Sequence, residues 1–196
     1  MRTTAELRET ILTAARSEFA QYGLAGARID RIARTAEASK ERLYAHFQDK
    51  EALFRSVVAA DMEEFFAAVM LRPDAVPEFV GDIYDLACRR PEHLRMITWA
   101  NLEGLVLDPP QVGGVESVQA RDVGVIEAAQ AAGHVDPHWH PMDLLVLLFG
   151  VGLAWAQSPH PDAVATDRAV IEGRRAAAVE AVEAARRIVA PTRGIS

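Results

Sequence analysis

Between Ser39 and Lys50 the chain runs Ser39-Lys40-Glu41-Arg42-Leu43-Tyr44-Ala45-His46-Phe47 and then reaches Lys50, so cations and hydrogen-bond donors surround two large apolar residues. If this run is helical, Leu43 and Phe47 share one face, and Lys40, Glu41, Arg42, Tyr44 and His46 are left largely outside. That outer face carries nucleic-acid chemistry. Lys40 and Arg42 can reach phosphates or guanine O6 and N7, and Tyr44 and His46 can donate to phosphate oxygens. Ser39 and Lys50 each stand at a helix start, where free backbone N–H groups favour an anion. Glu41 is discordant, because it repels phosphate, yet it could accept from a cytosine N4 amine and add selectivity at a cost in affinity.

Such residues need elements that hold them against a groove. Apolar residues at Leu7, Ile11, Ala15, Phe19 and Tyr22 recur every three or four positions, which predicts a first helix from about Thr4 to Tyr22. Thr3 and Glu6 have capping-box spacing, and Gly23 ends the segment. A second short helix, Ile29 to Arg34, and the turn Ala36-Glu37-Ala38-Ser39 precede the third, Lys40 to Phe47, with Ser39 as its N-cap. Two short helices joined by a four-residue turn and braced by a longer one meet the requirements of a helix-turn-helix. Spacing alone leaves an ordinary amphipathic surface helix equally open.

The block Ile32-Ala33, Ala36, Ser39-Lys40, Leu43-Tyr44, His46-Phe47, Lys50-Glu51-Ala52-Leu53-Phe54 resembles the DNA-binding signature of the TetR family of bacterial transcriptional regulators. The likeness extends over about residues 7 to 54 and decides between the two readings. It implies a homodimer that reads a double-stranded DNA operator, with residues 1–48 as the DNA-binding domain and residues 49–196 as a ligand-binding and dimerisation domain. Three positions depart from the usual pattern. Glu37 replaces a glycine common in the turn, which costs about 1 to 2 kcal/mol if the backbone there is left-handed. Ala27-Arg28 stands where hydroxyl residues usually cap the second helix, so the cap is weaker and Arg28 gains access to a phosphate or the minor groove. Glu41 replaces a small residue.

Charge and composition fit this reading. The net charge is −7, but through residue 50 nine cations face seven carboxylates, whereas beyond it twelve face twenty-one. The basic charge is at the front. A single cysteine, Cys88, excludes an internal disulfide framework and suits a reducing cytosol, and the charged N-terminus lacks the apolar stretch of an export signal. The longest apolar run, Leu144 to Ala156, is too short to span a bilayer and reads as a buried helix.

The remainder is expected to be helical. Asp49 caps a long helix from Lys50 to about Met70, and further helices cover about 75–90, 91–107, 115–132, 141–157 and 162–190, for an all-α chain of nine helices with no strand. The helix at 141–157 is apolar nearly all round, and that at 162–190 carries small residues on one side. Two such helices from each chain would make a four-helix dimer interface. Met62, Phe65, Phe66, Met96, Trp99 and Phe149, with Glu103 and Arg121 as polar anchors, are candidates to line a small-molecule chamber for an unknown effector. Met and aromatic residues at helical spacing are also plain core.

His134, Asp136, His138, His140, Asp143 and His160 lie in Pro-rich connections without a fixed geometry, so no metal or other cofactor is expected. Cys88, beside Arg89-Arg90, reads as a structural thiol. No phosphate loop, nucleophile elbow or spaced His and carboxylate set points to an enzyme. The expected function is a repressor released from a palindromic operator by a ligand, against a DNA-binding dimer that takes no ligand.

Overall fold

The computed structural model describes residues 3–105, 111–112 and 116–189. Among them are nine α-helices: α1 (Thr4–Gly26), α2 (Ile29–Thr35), α3 (Lys40–Tyr44), α4 (Lys50–Ala68), α5 (Val76–Arg89), α6 (Pro91–Leu102), α7 (Val118–Ala131), α8 (Pro141–Leu153) and α9 (Arg168–Val189). One departure from the all-helical expectation is a two-residue antiparallel ladder, with Gln111 opposite Ser117 and Val112 opposite Glu116. It is too short for apolar alternation to register in a sequence. No helix among the described residues is long and apolar enough to cross a membrane.

Contacts divide the chain into two compact units, Met1–Phe65 with Arg90–Pro110, and Phe66–Arg89 with Gln111–Ser196. The first contains α1 to α3, most of α4, and α6. Its core is built on the expected α1 stripe, because Leu7, Ile11, Ala15 and Phe19 are all buried, together with Ile32 and Ala33 of α2, Leu43, Phe47, and Leu53, Phe54 and Val57 of α4. Phe19 meets Phe54 edge-on at 5.0 Å. Tyr22, assigned to the same stripe, is instead exposed. Packing therefore does not stop at residue 48, since α4 buries its first turns among α1 to α3 and α6 adds Met96 and Ala100 to the same cluster.

Helix ends follow the capping residues, including Asp167, which the sequence pattern did not reveal. Thr3 and Glu6 form the expected reciprocal capping box, with Thr3 N donating to Glu6 Oε2 at 2.7 Å and Glu6 N to Thr3 Oγ1 at 3.2 Å. Helix α1 kinks at Gly23, where φ is +65°, and continues for one further turn to Gly26. Asp49 caps α4 as expected, its carboxylate accepting from Ala52 N at 2.7 Å. Helix α9 starts later than expected because Asp167 accepts from Ala169 N at 2.8 Å, after a short 3-10 turn at Pro161–Ala163.

Three helices end in the same hydrogen-bonded loop. After α6 and α7 the left-handed residues are Gly104 (φ +66°) and Gly133 (φ +75°), with Leu105 N donating to Ala100 O and His134 N to Ala129 O. After α2 the equivalent bond runs from Ala38 N to Ala33 O, but the left-handed residue is Glu37, at φ +51°. The backbone at Glu37 is thus left-handed, the condition under which its replacement of glycine carries a cost, and the loop itself is of the ordinary kind. Glu37→Gly should raise folding stability by about 1 kcal/mol, read as a higher urea midpoint with unchanged slope. A midpoint that stays or falls would show that the strain is absent.

In the second unit, Phe149 of α8 stands between two rings, Phe66 at 5.9 Å and Phe79 of α5 at 5.5 Å, both edge-on. Arg175 of α9 donates to Asp85 of α5 at 2.9 Å, and Arg174 lies over the Trp155 ring at 3.7 Å. On α7, Asp122 is buried, accepts from Arg121 Nε at 2.8 Å, and is raised in pKa chiefly by that burial.

Candidate nucleic-acid interface

Helix α3 is shorter than the sequence suggests. It ends at Tyr44, with Ala45 as C-cap, so His46 and Phe47 sit in the turn beyond it. Leu43 and Phe47 are nevertheless both buried, and Glu41, Arg42 and Tyr44 are exposed as expected. His46 is half-buried, its ring 6.2 Å from that of Phe47. Ser39 is the N-cap, its hydroxyl accepting from Arg42 N at 3.3 Å.

The discordant Glu41 has a local function. Hydrogen bonds from its own backbone N–H and from the Ser39 hydroxyl hold its carboxyl below the usual carboxylate range. A carboxylate in the first turn of a helix is also favoured by the helix dipole. The residue singled out as a candidate base-reading group thus also helps hold the start of α3.

Two of the expected DNA-contacting cations already have partners inside the protein. Lys40 pairs with Asp30 of α2, and both side chains are more than half exposed. Lys50 points its ammonium back to the carbonyl oxygens of Ala25 and Ala27, at 3.4 and 3.3 Å, where it ties the end of α1 to the start of α4. Arg42 makes no ion pair with a described residue and stands exposed on α3.

Helix α2 lacks a side-chain cap at Arg28, as its sequence implied. Its place is taken by Glu18 of α1, whose buried carboxylate accepts from Arg28 N at 2.8 Å and from Arg31 Nε at 2.8 and 2.9 Å. Arg31 also stacks on Tyr22, 4.2 Å from the ring centroid. The Arg28 side chain remains exposed, as does that of Arg34 in the last turn of the same helix. Sequence reasoning missed Glu18, Asp30 and Arg34. Glu18 adjoins Phe19 in a helix full of charges, and no local pattern separates a buried carboxylate from a solvated one.

The eight candidate effector-binding residues do not share one unit. Met62, Phe65, Met96, Trp99 and Glu103 belong to the first, and Phe66, Arg121 and Phe149 to the second. Met96 is fully buried in the cluster that includes α1, and Trp99 lies against Gly23 with its indole N–H directed at Ala20 O, 3.4 Å away. Glu103 is exposed at the end of α6. The histidine-rich connections serve their own backbone: Asp136 accepts from His138 N at 2.7 Å, and His160 Nδ1 from Asp162 N at 3.2 Å. Among the described residues no group of three or more His, Cys, Asp or Glu is disposed to hold a metal ion.

A capped five-residue helix with an exposed polar face, braced by α1 and joined to α2 by a tight turn, defines a helix-turn-helix DNA-binding protein. Residues 11–57 match the family model described as bacterial regulatory proteins of the tetR family, and residues 75–187 match the tetracyclin repressor-like C-terminal domain. The HTH-type transcriptional repressor SCO4008 of Streptomyces coelicolor is 34% identical over 146 residues, which cover 74% of this chain and 76% of that protein. The HTH-type transcriptional repressor NicS of Pseudomonas putida is 34% identical over 138 residues, 64% of each chain. The crystal structure of SCO4942 from Streptomyces coelicolor superposes with a TM-score of 0.75 at 38% identity, covering 91% of this chain and 97% of that one. The chain belongs to the TetR family, and it is a DNA-binding transcriptional regulator.

Proposed function

We propose that the protein is a cytoplasmic homodimeric repressor that binds a palindromic operator through α2 and α3 and leaves it when a small molecule binds within residues 49–196. The observation that carries the DNA half is the exposed face of α3, where Arg42 and Tyr44 project beside the Ser39 cap while Leu43 anchors the helix in the core. Two recognition helices related by a two-fold axis meet successive major-groove faces, so a dimer implies a palindrome.

Dimerisation through α8 and α9 is supported by apolar side chains that a monomer leaves wet. Val146 and Leu147 of α8 are 60% and 49% exposed, and Val170 of α9 is 43% exposed. The remaining faces of α8 are occupied, since Leu145 and Leu148 are buried. In the second unit, Phe66 and Phe149 with the Arg121–Asp122 pair offer an apolar surface and a charged anchor for an effector.

Arg42→Ala should weaken binding to the preferred duplex by about 1 to 3 kcal/mol if the guanidinium reads a base, and by less if it meets only phosphate. The measurement is a fluorescence-anisotropy titration with the duplex that the wild-type protein enriches from a randomised library, alongside sedimentation at micromolar concentration. Unchanged affinity, or a monomer that enriches no sequence, would overturn the reading. A thermal-shift screen in which no compound stabilises the protein would remove the effector half alone.

A further inference from the structure

The cations of α2 and α3 are not equally available. Arg42 has no ion pair with a described residue. Arg28 and Arg34 are near enough to help hold the Asp30 carboxyl below its ordinary value, yet neither forms an ion pair with it. Arg31 is taken up by Glu18 of α1, and Lys40 is engaged through a side-chain hydrogen bond to Asp30 that pushes its own ammonium up and contributes most to lowering Asp30. Glu41 adds a second negative charge beside the same ammonium. Asp30, Lys40 and Glu41 together therefore carry a net charge of −1 on the face that would meet DNA.

We infer that Asp30 is a specificity-determining residue: it restrains Lys40, so that this cation does not bind phosphate indiscriminately and is released only to a better acceptor. The inference rests on the proposed DNA-reading role of α3. An exposed pair is weak, because water screens it and two flexible side chains must be held together. Weakness suits a restraint that DNA must undo. A phosphate exchanges one singly charged acceptor for another, and it must also approach Asp30 and Glu41, which repel it. A guanine edge offers O6 and N7 together and carries no net charge to be repelled. The pair thus works against the salt-dependent, sequence-independent part of binding more than against base readout, and discrimination between partners is raised by penalising the wrong one.

Asp30→Asn tests this, because it keeps the shape and removes the charge at an exposed position. Two probes are needed: the duplex enriched by the wild-type protein from a randomised library, and a scrambled duplex of the same composition. Asp30→Asn should tighten binding to the scrambled duplex by about three- to tenfold and steepen its salt dependence by about 0.9 in log–log slope, as one further phosphate contact requires. Binding to the enriched duplex should tighten less, so the ratio between the two falls. In a Lys40→Ala background the same change should alter scrambled-duplex binding by less than about twofold, because the cation it would release is gone.

An undiminished gain in the Lys40→Ala background would show that Asp30 merely repels DNA. Unchanged or weaker scrambled-duplex binding by Asp30→Asn would show that it does not restrain Lys40 at all. Either result overturns the inference and leaves the DNA-reading role intact, whereas wild-type protein that binds neither duplex removes both.

Discussion

Arg16→Met should lower folding stability by about 3 to 5 kcal/mol at pH 7, because it strands a carboxylate in the interior of the first unit. Asp61 is 0% exposed, and one of its oxygens accepts from Arg16 Nε while the other has no hydrogen-bond partner among the described residues. His93 Nδ1 is 3.9 Å away. Burial raises the Asp61 pKa, Arg16 and His93 pull it down, and Glu64 pushes it up again, with burial prevailing. The pair also holds α1 against α4, and Arg16 reaches on to Glu64 at 3.2 Å.

The size of that loss should depend on pH in a definite direction. An acid whose folded pKa is raised favours the fold when protonated, so its contribution is complete below the unfolded value of 3.8 and is lost as pH rises through the folded value. Removing Arg16 takes away the strongest downward pull and raises the folded value further. The variant should therefore fall furthest behind the wild type near neutrality and recover towards it as the solution is acidified. Adding Asp61→Asn should restore much of the loss at pH 7, since the stranded charge is gone. Urea unfolding at pH 7 and pH 5 measures this, and a deficit that is equal at both pH values, or below about 1 kcal/mol at pH 7, would mean that Asp61 is not dependent on Arg16.

The contrast between Leu43 and Asp61 shows what the sequence made legible. Leu43, Phe47 and the α1 stripe announce themselves by spacing, and all but Tyr22 are buried where periodicity put them, because apolar burial is proportional to area and insensitive to partner identity. Thr3, Ser39 and Asp49 act over three residues, so their caps were also readable. Glu18, Asp30 and Asp61 are carboxylates whose partners lie 10 to 45 positions away in sequence, and nothing local distinguishes them from solvated charges. The same limit hid the contact of Lys50 with the carbonyls of Ala25 and Ala27, more than twenty positions away. For Met96 and Trp99, spacing marked the apolar positions but could not say which core they join, Met96 fully and Trp99 only partly buried.

Gly23→Ala should cost about 3 kcal/mol or more, and it should uncouple the DNA-reading helices while leaving helix content almost unchanged. Two separate penalties combine. Gly23 sits at φ +65° and ψ −178°, a region essentially confined to glycine, where any side chain costs about 1 to 3 kcal/mol. A Cβ there would also lie 2.9 Å from the Trp99 ring, and displacing a packed aromatic costs about 1 to 3 kcal/mol more. The kink that this glycine permits aims the last turn of α1. That turn presents the Ala25 carbonyl to Lys50, and the chain just beyond it brings Arg28 N to Glu18, so α2 depends on it for its cap. If the clash dominates, Trp99→Ala should relieve part of the loss in the double variant; if backbone strain dominates, the two changes should add. In either case specific DNA binding should fall with stability, which anisotropy and urea titrations on the same samples would follow. A Gly23→Ala protein with wild-type stability and wild-type DNA affinity would show that the kink is incidental to both.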